Sequence, residues 1–107
     1  MRRNFLPILG LLSLFVLGSC SAERDSKIAS LKHAIGVADS QLLDAAAELD
    51  TTNCFPRSLM PKFRAVDAKD WTSGFFPGSL WQCYRFTGDE KLLAEAKKYT
   101  DRLEGIQ

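Results

Sequence analysis

Apolar residues recur every three or four positions along three segments of the chain, the spacing that places them on one face of a helix. The first segment is 27–50, the second runs from about 72–77 to Thr87, and the third begins at Asp89. The stripes are Ile28, Leu31, Ile35, Ala38, Leu42, Ala45 and Leu49; then Phe76, Leu80, Cys83 and Tyr84 or Thr87; then Leu92, Ala96, Tyr99 and Leu103. No segment shows a convincing strand pattern. The sequence therefore predicts an all-α fold.

Several residues match the chemistry of helix ends. Asp25 or Ser26 can cap the first helix, and Thr72 or Ser73 the second, by accepting a backbone N–H. Gly88 suits the left-handed residue that closes a helix. The connection after it is short, so we expect the second and third helices to form an antiparallel hairpin.

Residues 51–72 form a long stretch without a helical stripe. Pro56 and Pro61 lie within it, and proline is excluded from helix interiors and central strands. We therefore predict an extended connection, of a length that often carries function.

The first 19 residues resemble a bacterial lipoprotein signal peptide. Arg2 and Arg3 precede an apolar run over 5–17, and the ending Leu-Gly-Ser-Cys at 17–20 resembles a lipobox. The alternative is an ordinary signal peptide with an incidental cysteine. We predict lipidation at Cys20, export, and attachment to a membrane in the periplasm or at the outer membrane through several acyl chains.

The predicted mature chain divides into an anchor and linker at 20–26 and a helical domain at 27–107. It carries 12 basic and 13 acidic residues, so its charge does not favour nucleic-acid binding. No spacing typical of metal ligands is present. Three helices can bury only a small core, and we expect the chain to be the opening part of a larger helical domain.

The remaining cysteines and the single histidine are not expected to take part in catalysis or metal binding. Cys54 and Cys83 can pair in an oxidising compartment or remain free thiols, and a loop and a helix position favour free thiols. His33 is predicted to face solvent on the first helix rather than to act in catalysis.

Residues 70–81 read Asp-Trp-Thr-Ser-Gly-Phe-Phe-Pro-Gly-Ser-Leu-Trp, which concentrates aromatic residues and glycines at a helix entry. Trp71 is a candidate for substrate contact, with core packing as the alternative. Asp70 is interpreted as a helix-entry acid bonded to nearby backbone. The remaining aromatic residues are expected in the core, and the glycines to permit close packing or a bent entry; they are Phe75, Phe76 and Trp81, and Gly74 and Gly78.

This block, followed by Tyr84 and by Thr-Gly-Asp-Glu at 87–90, closely resembles the N-terminal part of the unsaturated glucuronyl hydrolases, glycoside hydrolase family 88. Phe-Pro-Arg at 55–57 and Leu-Glu-Gly-Ile-Gln at 103–107 are similar too, so the resemblance covers about 27–107. It implies an (α/α)6 barrel of six helical hairpins, of which these would be the first helices.

The resemblance also implies a reaction. A protonated aspartate protonates the C4=C5 double bond of an unsaturated uronic acid, water adds at C5, and the product rearranges to release the sugar. The substrates are disaccharides left by lyases acting on glycosaminoglycan-type polymers, and no metal or organic cofactor is implied. Trp71 matches a family tryptophan of the substrate pocket. The two catalytic aspartates match nothing in this chain, which is therefore expected to be inactive alone.

Two other functions remain open at this point. The related unsaturated rhamnogalacturonyl hydrolases share the barrel and the mechanism. A small lipid-anchored helical binding module, complete in itself, is the alternative that is not an enzyme.

Overall fold

In a computed structural model, the backbone is described for residues 6–58 and 61–106, and side chains within these ranges from residue 21 onward. The elements are α1 (Leu6–Glu48), β1 (Phe55–Ser58), β2 (Arg64–Val66), α2 (Phe75–Thr87) and α3 (Glu90–Asp101). The chain divides into two compact units, 1–34 and 35–107. The prediction of a mainly helical chain is confirmed.

The first unit contains the helix start that the sequence placed wrongly. Asp25 and Ser26 do not cap a helix, because both lie inside α1. Good helix formers precede them, and Glu23 pairs with Lys27 one turn later at 2.7 Å. These residues favour a helix that continues through residue 27 instead of beginning there. His33 is exposed, as predicted.

The predicted signal segment can be described only in part. Residues 1–5 and the side chain of Cys20 lie outside the described residues, so the lipobox stays a prediction. Across the part of the chain that the structure describes, no helix is both long and apolar enough to cross a membrane.

The second unit has a small apolar core at the junction of its helices and strands. Tyr99, Phe55, Leu80 and Leu92 are its largest fully buried side chains. The predicted stripes of α2 and α3 point into this core, with Cys83, Tyr84 and Leu103 packed at its edge. Phe76, near the start of α2, contacts Tyr99, near the end of α3, and residues 87–89 connect the other two helix ends. The two helices therefore run antiparallel.

Tyr99 makes contacts to several elements around this core. Its ring meets Phe76 edge-on at 4.7 Å and Phe55 at 5.7 Å between centroids. Its hydroxyl donates to the carbonyl of Ala46 on α1 at 3.2 Å, and the Arg102 guanidinium lies 4.2 Å from the ring centroid. One residue therefore joins α1, β1, α2 and the end of α3.

Side chains at the C-terminal end of α3 donate hydrogen bonds to the segment that directly follows α1. Arg102 donates to the carbonyls of Leu49, Asp50 and Cys54 at 3.2–3.5 Å. Lys98 donates to the Asp50 carboxylate at 2.5 Å. Carbonyls at a helix end lack partners within the helix, so these contacts stabilise the end of α1.

The connection over 51–72 contains a two-stranded antiparallel hairpin, so the expectation of no strand was wrong. Pro56 lies within β1 opposite Ala65. Proline is excluded only from central strands, and both strands of a two-stranded sheet are edges. The pairing skips Arg57, since Pro56 pairs with Ala65 and Ser58 with Arg64. Arg57 is thus the extra residue of a β-bulge.

The predicted helix ends around α2 and α3 are only partly correct. Gly88 closes α2 with φ 70°, and Asp89 caps α3 by accepting from the amide of Lys91 at 2.8 Å. Neither Thr72 nor Ser73 caps α2, because the N-cap position is occupied by Gly74 and the helix begins at Phe75. No side chain caps this end of the helix.

The favoured state of the two remaining cysteines agrees with the structure. Cys54 and Cys83 are free, and each is partly buried.

The central position of Tyr99 predicts two different losses of stability. Tyr99→Phe keeps the ring contacts and loses the hydrogen bond to Ala46, which should cost about 1 kcal/mol. Tyr99→Ala also opens a cavity and should cost about 3–5 kcal/mol. Urea unfolding followed by circular dichroism measures both. Equal costs for the two variants would show that the ring is not the main contributor.

Candidate functional site

The entry to α2 is a turn organised by Asp70. Its Oδ1 accepts from the amide of Thr72 at 2.8 Å and from the Thr72 hydroxyl at 2.5 Å. Its Oδ2 accepts from Arg57 Nη1 at 3.0 Å. The interpretation of Asp70 as an acid bonded to nearby backbone is confirmed, with an ion pair to the hairpin in addition.

These contacts set the protonation of Asp70. The bonds from Thr72, followed by the positive charges of Arg57 and Arg64, lower the pKa of the carboxyl below its ordinary value of 3.8. Asp70 is therefore ionised at neutral pH.

A hydrogen bond from Ser73 also stabilises this turn. Ser73 is the one buried polar residue found among the described side chains, and its hydroxyl donates to the carbonyl of Ala68 at 3.0 Å. Asp70 and Ser73 flank Trp71 and tie the turn to the hairpin and to the preceding loop. Trp71 is thus presented on a well-supported backbone.

Trp71 points into solvent, with 78% of its surface exposed. Its ring meets that of Phe75 edge-on at 6.0 Å between centroids. Phe75 is itself 66% exposed, so its predicted place in the core was wrong. Phe76 is buried as predicted, and Trp81 packs partly against the core while donating to Thr100.

The helical period explains this division of the aromatic residues. Phe76 and Leu80 lie four positions apart and face Tyr99 and the core. Phe75 lies one position, about 100°, from Phe76 around the helix, and that rotation turns it away from the core.

Phe75 belongs to the wall of an open cleft of about 770 Å³. The cleft is bounded by one face of α1, by β1 and by the first half of α2. Its lining residues are Ala38, Gln41, Leu42, Ala45, Pro56, Arg57, Ser58, Gly74, Phe75, Phe76, Gly78, Ser79, Gln82 and Cys83. Trp71 is not a lining residue but contacts one. The volume is in the range of small-molecule pockets.

Gly74 and Gly78 line this cleft, and no other part of the described chain packs closely against them, contrary to the expectation. A Cβ added at either position would meet no atom within 4 Å. Gly74 also has an ordinary helical φ of −70°. In this structure the two glycines instead leave open space along the wall of the cleft.

The polar groups of the cleft are mostly neutral. Arg57 is its single cation, accompanied by two glutamine amides and two serine hydroxyls.

Burial and the nearby Asp39 carboxylate raise the pKa of the Cys83 thiol to about 11, so it is not an activated nucleophile. In the described part of the chain, no group of three or more His, Cys, Asp or Glu could hold a metal ion.

The role of Arg57 was missed by the sequence reasoning. Arg57 and Asp70 are 13 positions apart, and their contact depends on the hairpin and its bulge. The sequence carried only a weak signal, a basic residue after Phe-Pro in a loop of unusual length.

Comparison with known proteins finds curated relatives that are similar to part of this chain. Two curated relatives are each named unsaturated glucuronyl hydrolase. The relative from Formosa agariphila is 47% identical over 55 residues, or 49% of this chain, and the one from Bacillus sp. strain GL1 is 38% identical over 52 residues, or 42% of this chain. The family resemblance read from the motifs is confirmed.

Each match spans 14% of the relative's own length. No family model matches the chain, and no solved structure matches it.

The lowered pKa of Asp70 predicts an acid-sensitive contribution to stability. A carboxyl whose pKa falls on folding stabilises the protein above its unfolded pKa of 3.8, and this stabilisation is lost as the pH falls through the folded value. Asp70→Asn should therefore be less stable than wild type at neutral pH, and the difference should shrink below pH 3.8.

Denaturant unfolding over a pH series measures this difference. Asp101→Asn, at the exposed end of α3, is the matched control and should track wild type throughout. A gap between Asp70→Asn and wild type that does not change with pH would refute the assignment.

Proposed function

We propose that residues 27–107 form the N-terminal part of the catalytic barrel of a lipid-anchored unsaturated glucuronyl hydrolase. Its substrates would be unsaturated disaccharides released by lyases from glycosaminoglycan-type polymers. Support comes from the two curated relatives of that name and from the resemblance of residues 70–81 to the family.

The observation that carries the proposal is Trp71. A large aromatic side chain normally gains stability by burial, yet 78% of this one is exposed. Asp70 and Ser73 hold its backbone on both sides. A flat apolar ring on a supported turn suits stacking against a sugar, and this is the role we propose for it.

Asp70 is not the catalytic acid in this proposal. The proposed reaction needs a carboxyl that is protonated near neutral pH, which requires a raised pKa. The hydrogen bonds from Thr72 and the charge of Arg57 lower the pKa of Asp70 instead. Because the two catalytic aspartates of the family match no residue of this chain, they would lie outside these 107 residues, and the chain alone would be inactive.

Replacing Trp71 tests the proposed sugar contact in the enzyme that contains this chain. Trp71→Ala should lower kcat/KM about ten- to hundredfold, since truncating a tryptophan that anchors a contact commonly costs about 2 kcal/mol or more. Trp71→Phe should retain part of the activity. The assay follows loss of the ultraviolet absorbance of the C4=C5 double bond in unsaturated chondroitin disaccharides.

Phe86→Ala is the matched control, because Phe86 is equally exposed but lies near the opposite end of α2. It should leave kcat/KM unchanged. Full activity in Trp71→Ala, or turnover by the 107-residue chain alone, would contradict the respective part of the proposal.

Lipid attachment at Cys20 forms a separate part of the proposal, supported by the apolar run and the Leu-Gly-Ser-Cys ending. Cells fed a radiolabelled fatty acid should incorporate label into the wild-type protein and not into Cys20→Ser. Label retained by Cys20→Ser would rule out this residue as the attachment site. Cys54→Ser is the control and should be labelled like wild type.

A further inference from the structure

Arg57 connects the β-hairpin to the turn that carries Trp71. It is the extra residue of the bulge in β1, and a bulge commonly redirects a side chain. Its Nη1 donates to Oδ2 of Asp70 at 3.0 Å. The side chains of Arg57 and Asp70 are 35% and 20% exposed. Solvent and salt therefore weaken this contact less than they weaken a fully exposed ion pair.

The two oxygens of the Asp70 carboxylate have separate partners. Oδ2 accepts from Arg57, while Oδ1 accepts from the amide and the hydroxyl of Thr72. The backbone carbonyl of Asp70 also accepts from the amide of Ser73 at 3.0 Å. Trp71 thus lies in a short turn whose other members are bonded to Asp70, and Arg57 ties that aspartate to a distant part of the chain.

The ring of Trp71 has little packing of its own. It is 78% exposed, and the aromatic ring that it meets among the described side chains is Phe75, edge-on at 6.0 Å between centroids. The direction of such a side chain depends on the backbone that carries it. A change at Arg57 should therefore reach the indole through the turn.

We propose that Arg57 is a positioning residue, which fixes the direction of the Trp71 ring through Asp70 and the turn over 70–73. The inference rests on the proposed function, in which this ring contacts the substrate, and it gives a residue of the hairpin a part in that contact. Arg57 also lines the cleft. Its bond to Asp70 therefore joins the wall of the cleft to the turn beside it.

The neighbouring Arg64 separates the effect of a bond from the effect of a charge. Its positive charge also acts on Asp70, but among the described side chains it forms no ion pair within 4 Å with that residue. Arg57→Gln removes a bond and a charge, whereas Arg64→Gln removes a charge alone. Arg64→Gln is for that reason the matched control.

Two single-tryptophan forms of the 107-residue chain measure the local effect. The chain has two tryptophans, so Trp81→Phe leaves Trp71 as the reporter and Trp71→Phe leaves Trp81. Trp81 packs partly against the core and donates to Thr100 on α3. Time-resolved fluorescence anisotropy then gives the amplitude of the fast motion of each indole.

Arg57→Gln should increase the amplitude of fast motion at Trp71 and leave that at Trp81 unchanged. Arg57→Lys keeps the charge and should restore part of the order at Trp71. Arg64→Gln should match wild type at both reporters. A general loss of stability would instead increase the motion of both indoles, so this pattern distinguishes positioning from a purely structural role.

The longer enzyme tests whether the order of Trp71 matters for the substrate. With unsaturated chondroitin disaccharides, Arg57→Gln should lower kcat/KM about two- to fivefold, as for the loss of a partly exposed ion pair. In a Trp71→Ala background the same substitution should have no effect, because its action passes through that ring.

Unchanged motion of Trp71 in Arg57→Gln would overturn the inference, and so would an equal increase in Arg64→Gln. A loss of kcat/KM that is as large in the Trp71→Ala background as in wild type would also overturn it. Loss of activity in Trp71→Ala together with no effect of Arg57→Gln would reject this inference and leave the proposed function standing. Full activity in Trp71→Ala would reject the proposed sugar contact, while the anisotropy still decides whether Arg57 orders the ring.

Discussion

The buried ring and hydroxyl of Tyr99 are the contacts on which the second unit depends. The ring packs edge-on against Phe55 of β1 and Phe76 of α2, and the hydroxyl satisfies the carbonyl of Ala46 on α1. A core of this size has few other large side chains to replace them. The orientation of four elements is therefore set around one residue.

The position of the candidate site follows from that core. Burial of Phe76 sets the rotation of α2, and this rotation leaves Phe75 exposed beside Trp71. Burial of Phe55 fixes the start of β1, from which Arg57 reaches Asp70. The surface that carries the exposed aromatic rings is thus supported by two buried ones.

The site is assembled for recognition more than for proton transfer. Its acid is held ionised by two hydrogen bonds from Thr72 and by an arginine, and its thiol at Cys83 has a raised pKa. What remains available is an exposed indole, a guanidinium and an open cleft. These groups are suited to stacking and hydrogen bonding rather than to proton transfer.

The sequence by itself determined the helices of the second unit, the start of α3 at about Asp89 and the closing turn at Gly88, because their causes lie within a few residues. It also identified the resemblance at 70–81. Only the tertiary structure decided the hairpin, the pairing of Arg57 with Asp70 and the exposure of Phe75. Each depends on contacts between residues far apart in the chain or on how a helix rotates against its neighbours, and local spacing does not encode either.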